Sequence, residues 1–150
     1  MGNSMNLNVL TFGLFQGLDV GYPMKGIVSE RFDDSLINSD QKLSIFQNDE
    51  FSINVTVYDD SLQKVDISTG VLSFVVREME YDRPGKIMIK KTSGDGIEFV
   101  DAVNGVFKID FGYEDTDNMK TSIQYKYKVE LTINGKTLTI MSDYFIVRSS

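Results

Sequence analysis

The sequence predicts an all-β fold, an antiparallel β-sandwich of about seven strands that follows an extended N-terminal arm. Several short segments alternate apolar and polar residues, which is the period of a half-buried strand. Turn-forming residues separate these segments at intervals of about 8 to 12 residues, the spacing typical of sandwiches. No window has the i, i+3, i+4, i+7 apolar pattern of an amphipathic helix.

The first 40 residues differ in composition from the rest of the chain and are predicted to form an extended arm and connector, residues 1–40. Glycines are frequent before residue 27 and oppose a stable helix there, while 5–12 shows the alternation of a short strand. The apolar side chains of this segment need a surface to cover, so we expect them to dock on a neighbouring subunit. An extra strand packed on its own domain is the alternative. The predicted interface residues are Leu7, Val9, Leu10, Phe12, Leu14, Phe15 and Tyr22.

The predicted domain, residues 41–150, opens with regular strand patterns. The segment 51–57 alternates without a break, and Asp59, Asp60 and Ser61 follow it as a turn. The segment 71–79 is almost continuously apolar, so we expect a central strand that is covered on both faces.

Turn signals divide the second half of the domain. Pro84-Gly85 predicts one turn and the segment 94–96, Gly-Asp-Gly, predicts another. Asn104-Gly105 and Asn134-Gly135 are pairs favoured in tight hairpin turns with positive φ. The predicted strands beside these two pairs are 97–100, 106–111, 123–133 and 136–147. The predicted core residues of the domain are Phe74, Phe107, Ile109, Val129 and Phe145.

Lysines and tyrosines alternate in one of these strands. Lys126 and Lys128 should face solvent, and Tyr125 and Tyr127 should point into the core. A surface that stacks nucleic-acid bases needs aromatic and basic side chains on one face, and this strand separates them.

The absence of three residue types limits the chemistry of the chain. The sequence has no His, Cys or Trp, which excludes Ser-His-Asp and Cys-His catalysis, Cys/His zinc sites and disulfides. Its net charge of −7 opposes binding to phosphate backbones, so neither nucleic acid nor an anionic membrane is an expected partner. We therefore expect a protein that is not an enzyme, with no catalytic residue and no cofactor.

Carboxylate pairs are the main remaining candidates for chemistry. They fall mainly in turns, where Asp hydrogen-bonds its own backbone, so a turn or surface role is favoured over a glycosidase site. The segment 115–118, Asp-Thr-Asp-Asn, offers oxygen ligands but lacks the glycine and the distal Glu of a calcium-binding EF-hand loop. No metal site is predicted, and calcium at this segment is the weaker alternative.

A particular order of segments extends from residue 47 to 148. An acidic-led strand at 48–55 precedes the lead-in Asp-Ile-Ser-Thr-Gly at 66–70 and the apolar strand 71–77. The later segments in this order are 89–97, 101–109, 115–116, 125–131 and 134–147. This order resembles the immunoglobulin-like N-terminal module of bacteriophage baseplate upper proteins and related fibre-attachment proteins. It covers about two thirds of the chain and implies an immunoglobulin-like β-sandwich.

The resemblance also implies a function. It points to a multi-copy, non-enzymatic virion structural protein whose partners are other virion proteins of the capsid, neck, tail or baseplate. In baseplate upper proteins, coiled-coil and fibre parts follow the module, whereas this chain resembles the module alone, so an adaptor or decoration role is expected. The alternative is a carbohydrate- or receptor-binding β-sandwich module of a phage tail, which exposed tyrosines beside carboxylates on one face would favour.

Overall fold

The computed structural model describes residues 3–6, 25–28, 41–80 and 83–149. The described residues are all-β, as predicted: they form strands, turns and two short 3-10 helices, Ala102–Asn104 and Tyr113–Thr116. None of the described residues belongs to a helix with the length and apolarity of a membrane span.

The described residues form ten strands. In chain order, they are β1 (Asn3–Asn6), β2 (Lys25–Val28), β3 (Leu43–Phe46), β4 (Phe51–Tyr58), β5 (Val71–Met79), β6 (Pro84–Ser93), β7 (Gly96–Asp101), β8 (Val106–Phe111), β9 (Tyr125–Ile133) and β10 (Lys136–Arg148). Eight of them, β3 to β10, lie in the predicted domain, where about seven were expected.

The strands follow one hydrogen-bonded path that curls into a mixed sheet. The order along the path is β1-β4-β8-β7-β6-β5-β9-β10-β3, and β2 pairs with β4 beside β1. Most neighbours are antiparallel, whereas three pairs are parallel: β1 with β4, β3 with β10, and β6 with β7. The link between β6 and β7 is short, because only Thr92 with Gly96 and Ser93 with Ile97 are paired.

The inner side of the curled sheet forms the hydrophobic core. The ring of Phe74 in β5 contacts that of Phe111 in β8, with centroids 5.4 Å apart, and Phe145 in β10 lies 6.1 Å from Phe111. The five predicted core residues are confirmed, since each has at most 1% of its surface exposed. Tyr125 and Tyr127 are buried and Lys126 and Lys128 are exposed, also as predicted.

Two predictions about β5 and β6 are wrong. The strand β5 has the predicted bounds, but only one face is buried, and Val71 on the other face is 57% exposed. Pro84-Gly85 is not a turn, because Pro84 begins β6 and pairs with Met79. Gly85 instead allows β6 to approach β5 closely, since a Cβ atom at this position would lie 2.1 Å from the carbonyl oxygen of Glu78.

The two Asn-Gly pairs form different connections. Asn134 and Gly135 both have positive φ, 52° and 75°, and form the predicted tight hairpin turn between β9 and β10. Asn104 instead ends a 3-10 helix, and Gly105 alone takes the left-handed conformation. The connection between β7 and β8 is therefore longer than the predicted two-residue turn.

Candidate functional site

The predicted arm interface lies outside the described residues. This holds for Leu7, Val9, Leu10, Phe12, Leu14, Phe15 and Tyr22 alike. The predicted short strand at 5–12 overlaps β1 only at its start, because β1 is Asn3–Asn6.

Two strands from the N-terminal 40 residues line one edge of β4. β1 pairs with the first half of β4, from Asn3 opposite Phe51 to Asn6 opposite Asn54. β2 pairs with the second half in the opposite direction, from Val28 opposite Val55 to Lys25 opposite Tyr58. The other edge of β4 pairs with β8. The free edge that β4 would otherwise present is thus occupied by strand addition from this segment.

A second surface lies on the outer side of β6, β5, β9 and β10. The strand register aligns outward side chains in rows across these strands: Arg77 lies opposite Lys126, and Val75 lies between Lys90 and Lys128. We call the outward basic residues Arg77, Lys90, Lys126 and Lys128 the cationic face. The sequence pattern identified the two lysines of β9 and, separately, the pair Lys90-Lys91; the strand register is needed to bring Arg77 and Lys90 beside the lysines of β9.

The cationic face borders an open groove of about 500 Å³. Arg77, Lys126 and Lys128 line it together with Val75 and Ser142. The Nη1 atom of Arg77 donates a hydrogen bond to the carbonyl oxygen of Gly85 at 3.1 Å, which fixes the guanidinium beside the groove. A groove lined by cations can bind a carboxylate-bearing ligand.

Three carboxylates line the groove, Glu78, Glu80 and Glu130, and the last two form ion pairs with described basic residues. Glu130 lies 3.4 Å from the ammonium of Lys128, and Glu80 lies 2.8 Å from Arg83 at the end of the groove. No described carboxylate is within ion-pair distance of Arg77 or Lys126, so these two cations face each other without a described counter-charge.

Carboxylates in turns accept hydrogen bonds from nearby backbone N–H groups, as the sequence predicted. One carboxylate oxygen of Asp59 accepts hydrogen bonds from the N–H groups of Ser61 and Gln63, at 2.9 and 3.0 Å. Asp66 accepts bonds from both the hydroxyl and the N–H of Ser68, which lower the pKa of this exposed carboxyl. These groups stabilise turns and do not form a pair across a cleft.

The segment considered for calcium uses its oxygens within the fold. Asp115 forms an ion pair with Lys91 at 2.9 Å. Thr116 accepts a hydrogen bond from the N–H of Asn48 at 2.8 Å, and Asp117 accepts one from the side-chain amide of Asn48 at 3.2 Å. In the part of the chain that the structure describes, there is no group of three or more acidic residues placed to hold a metal ion.

Two further pKa shifts have local causes. Hydrogen bonding to Glu98 and the charge of Asp110 raise the pKa of the exposed Lys108 ammonium. Burial raises the pKa of the Tyr58 hydroxyl. Both groups belong to the β4 and β8 side of the sheet and not to the groove.

No known protein family and no curated protein matches this chain. The candidate surfaces are therefore the edge of β4 and the cationic face, identified by their geometry alone.

Proposed function

We propose that this chain is a non-enzymatic structural protein of a bacteriophage virion, an immunoglobulin-like module that is held on neighbouring subunits through its N-terminal segment. The resemblance of residues 47–148 to the N-terminal module of baseplate upper proteins motivates the proposal. The observation that supports the mode of attachment is the edge of β4, which accepts strands from residues 1–40.

The strand order supports an immunoglobulin-like sandwich. One stretch of the path, β1-β4-β8-β7, has the order of the A-B-E-D sheet of such domains, and β6-β5-β9-β10 has the order C′-C-F-G. Only two residue pairs join the two stretches, between β6 and β7. The ring contact between Phe74 and Phe111 links one stretch to the other and favours two facing layers over one open sheet.

Tyr125 supports the same assignment. It begins β9, and its hydroxyl oxygen accepts a hydrogen bond at 2.8 Å from the N–H of Lys120. Immunoglobulin-like domains use a tyrosine near the start of strand F in this way, two residues before the second cysteine of antibody domains. Tyr127 stands at that later position, and Phe74 packs on it with ring centroids 5.8 Å apart, where antibody domains pack a tryptophan on their disulfide.

Attachment through the β4 edge follows from backbone chemistry. A strand pairs with an edge through the backbone N–H and C=O groups that all residues except proline have, so the same edge accepts a strand of its own chain or of a neighbour. The apolar residues between β1 and β2, including Phe12 and Phe15, would then cover the neighbouring subunit. A burial of this kind contributes roughly 1.5–3 kcal/mol for each large apolar side chain.

Particle incorporation tests the proposal. An epitope-tagged chain should co-purify with virions at a fixed copy number, and electron cryo-microscopy should locate its density on the capsid, neck, tail or baseplate. The double variant Phe12→Asp/Phe15→Asp should fail to incorporate, while the surface variant Lys120→Ala/Lys136→Ala, which changes the net charge by the same amount, should incorporate normally. A tagged chain that is absent from particles contradicts the proposal, and glycan binding by that chain would favour the carbohydrate-binding alternative.

A further inference from the structure

One end of the molecule is acidic. Its carboxylates, which we call the acidic end, are Asp59, Asp60, Asp66 and Asp101, and one basic residue, Lys64, lies in the same loop. Backbone hydrogen bonds join the segments that bear them: Val57 N–H donates to the Gly105 carbonyl at 2.9 Å, and Ile67 N–H donates to the Ala102 carbonyl at 2.9 Å. The end of β4, the 59–67 loop and the end of β7 are thereby held together, so the backbone that bears the four carboxylates has a fixed arrangement.

Exposed apolar side chains accompany the charges on both surfaces. At the acidic end, Val100 and Val103 are 56% and 64% exposed. On the cationic face, Ile87 lies opposite Arg77 and is 42% exposed, and Tyr144 lies opposite Lys126. Single exposed apolar residues are common on protein surfaces, and a contact surface combines such groups with complementary charge.

The charge of the cationic face is opposite in sign to that of the chain as a whole. Four basic residues share this face with one outward carboxylate, Glu130, and Glu78 and Glu80 line the adjoining groove, whereas the chain has a net charge of −7. Like charges directly opposite each other in a sheet are destabilising, and Arg77 and Lys126 form such a pair. A carboxylate bound between them would relieve this repulsion.

We propose that the cationic face binds the acidic end of a second copy of this chain. Because the two surfaces are different, the contact is heterologous, so each copy keeps one unused surface for the next and the contact repeats into a ring or filament. This contact adds a partner, a second copy of the chain, to the proposed function. It rests on that function in one respect, that the chain acts by assembling with other subunits.

The contact should be weak and sensitive to salt. Exposed ion pairs are individually weak, and salt screens charges separated by more than roughly 8 Å at physiological ionic strength. The net charge of each copy also opposes approach at long range. We therefore expect association at low salt and high concentration, as inside a growing particle, and monomers in dilute solution.

Sedimentation equilibrium of the full chain tests this inference without any particle. From about 10 µM to 1 mM protein at low salt, the average mass should rise above the 17.0 kDa of one chain, and added salt should reverse the rise. The face variant Lys126→Glu/Lys128→Glu and the end variant Asp60→Lys/Val103→Lys should each associate at least tenfold more weakly. The control variant Lys120→Glu/Lys136→Glu has the same net charge as the face variant but an intact cationic face. It should therefore associate clearly more strongly than the face variant.

Mixing the two variants gives the sharpest test. The face variant keeps an intact acidic end and the end variant keeps an intact cationic face, so the mixture should form one-to-one pairs that do not grow further. Thermal melts of both variants should match the wild type, because the exchanged side chains are exposed or half-exposed.

Three results would overturn the inference. The first is a mass of one chain under all conditions, and the second is wild-type association by either variant alone. The third is a mixture that stays monomeric. If the wild-type chain is monomeric but its cationic face binds a polyglutamate peptide, the face serves an acidic partner other than a second copy. A failure here leaves the co-purification with virions unaffected, so the two proposals fail separately.

Discussion

Lys91 and Asp115 form an ion pair at the margin of the core. The ammonium lies 2.9 Å from a carboxylate oxygen, and the two side chains are only 12% and 18% exposed. The same carboxylate oxygen accepts a hydrogen bond from the Gly112 N–H at 2.7 Å, and the ammonium lies 5.6 Å from the ring centroid of Phe111. The pair fastens the short helix after β8 to strand β6.

Loss of this pair should cost stability. Asp115→Asn leaves the largely buried Lys91 ammonium without its counter-charge, so we expect the free energy of unfolding to fall by about 1–3 kcal/mol. Glu80→Gln breaks the more exposed ion pair with Arg83 and should change the free energy of unfolding by less than about 1 kcal/mol. Urea denaturation of both variants gives the comparison, and equal effects would contradict the structural role of the Lys91 pair.

Two phenylalanines that face each other across β7 and β8 should respond differently to truncation. Phe107 is fully buried, so Phe107→Ala should destabilise the protein by about 3–5 kcal/mol. Phe99, its partner in the ladder, is 40% exposed, and Phe99→Ala should have a clearly smaller effect. Thermal melts of the two variants measure the difference; a Phe107→Ala melt within a degree of wild type would show that the register of β8 is wrong.

Two left-handed glycines should differ in their tolerance of alanine. A Cβ atom at Gly105 would lie 2.7 Å from the Val65 carbonyl oxygen and 2.9 Å from that of Val57, whereas at Gly135 nothing lies within 4 Å. Gly135→Ala should cost only the strain of positive φ, about 1–2 kcal/mol. Gly105→Ala should cost more, since backbone must also move. If chemical denaturation gives equal losses of unfolding free energy for the two variants, the backbone around residue 105 moves aside at little cost.

The pKa of Asp66 should depend on Ser68. The Ser68 hydroxyl and N–H hold this pKa below its usual range, so the group contributes stability above the unfolded pKa that is lost as the pH falls through the folded pKa. Ser68→Ala removes the hydroxyl and should move the pKa of Asp66 up towards its usual value. An NMR titration of the carboxyl measures the shift. Thr69→Ala is the control and should leave it unchanged.

Removal of residues 1–39 should expose one edge of β4 while the core stays folded. All the described core residues lie between Leu43 and Val147, so we expect the shortened chain to fold and to melt close to the full chain. It should also self-associate at high concentration, because β4 loses both β1 and β2 along one edge. Circular dichroism and light scattering follow the two effects. An unfolded product would make these strands integral to the fold.

The sequence was most informative where one face of a strand is polar. Burial alternates strictly along β8 and β9 and, except at Thr56, along β4; Lys126 beside Tyr127 assigns the two faces of β9 directly. The burial of β5 was predicted wrongly because Val71 and Val75 on its outer face are apolar. A strand with one exposed face therefore has the sequence pattern of a strand covered on both faces.

Short strands and long-range register could not be predicted in this way. The four residues of β3 are too few for a periodic signal, and their partner in β10 lies about a hundred residues away. Likewise, a bulge between Val76 and Arg77 decides that Ile87 shares the outer face with Arg77. The cationic face depends on these pairings and not on any local motif.

The parallel pairing of β3 with β10 has a consequence during translation. Leu43 pairs with Phe145, so the ribosome must add roughly a hundred residues before β3 meets its partner. At about 5–20 residues per second, the nascent strand waits on the order of 5–20 s. Through that interval Leu43 and Ile45 are available to chaperones, and codons that slow elongation between β4 and β9 would lengthen their exposure.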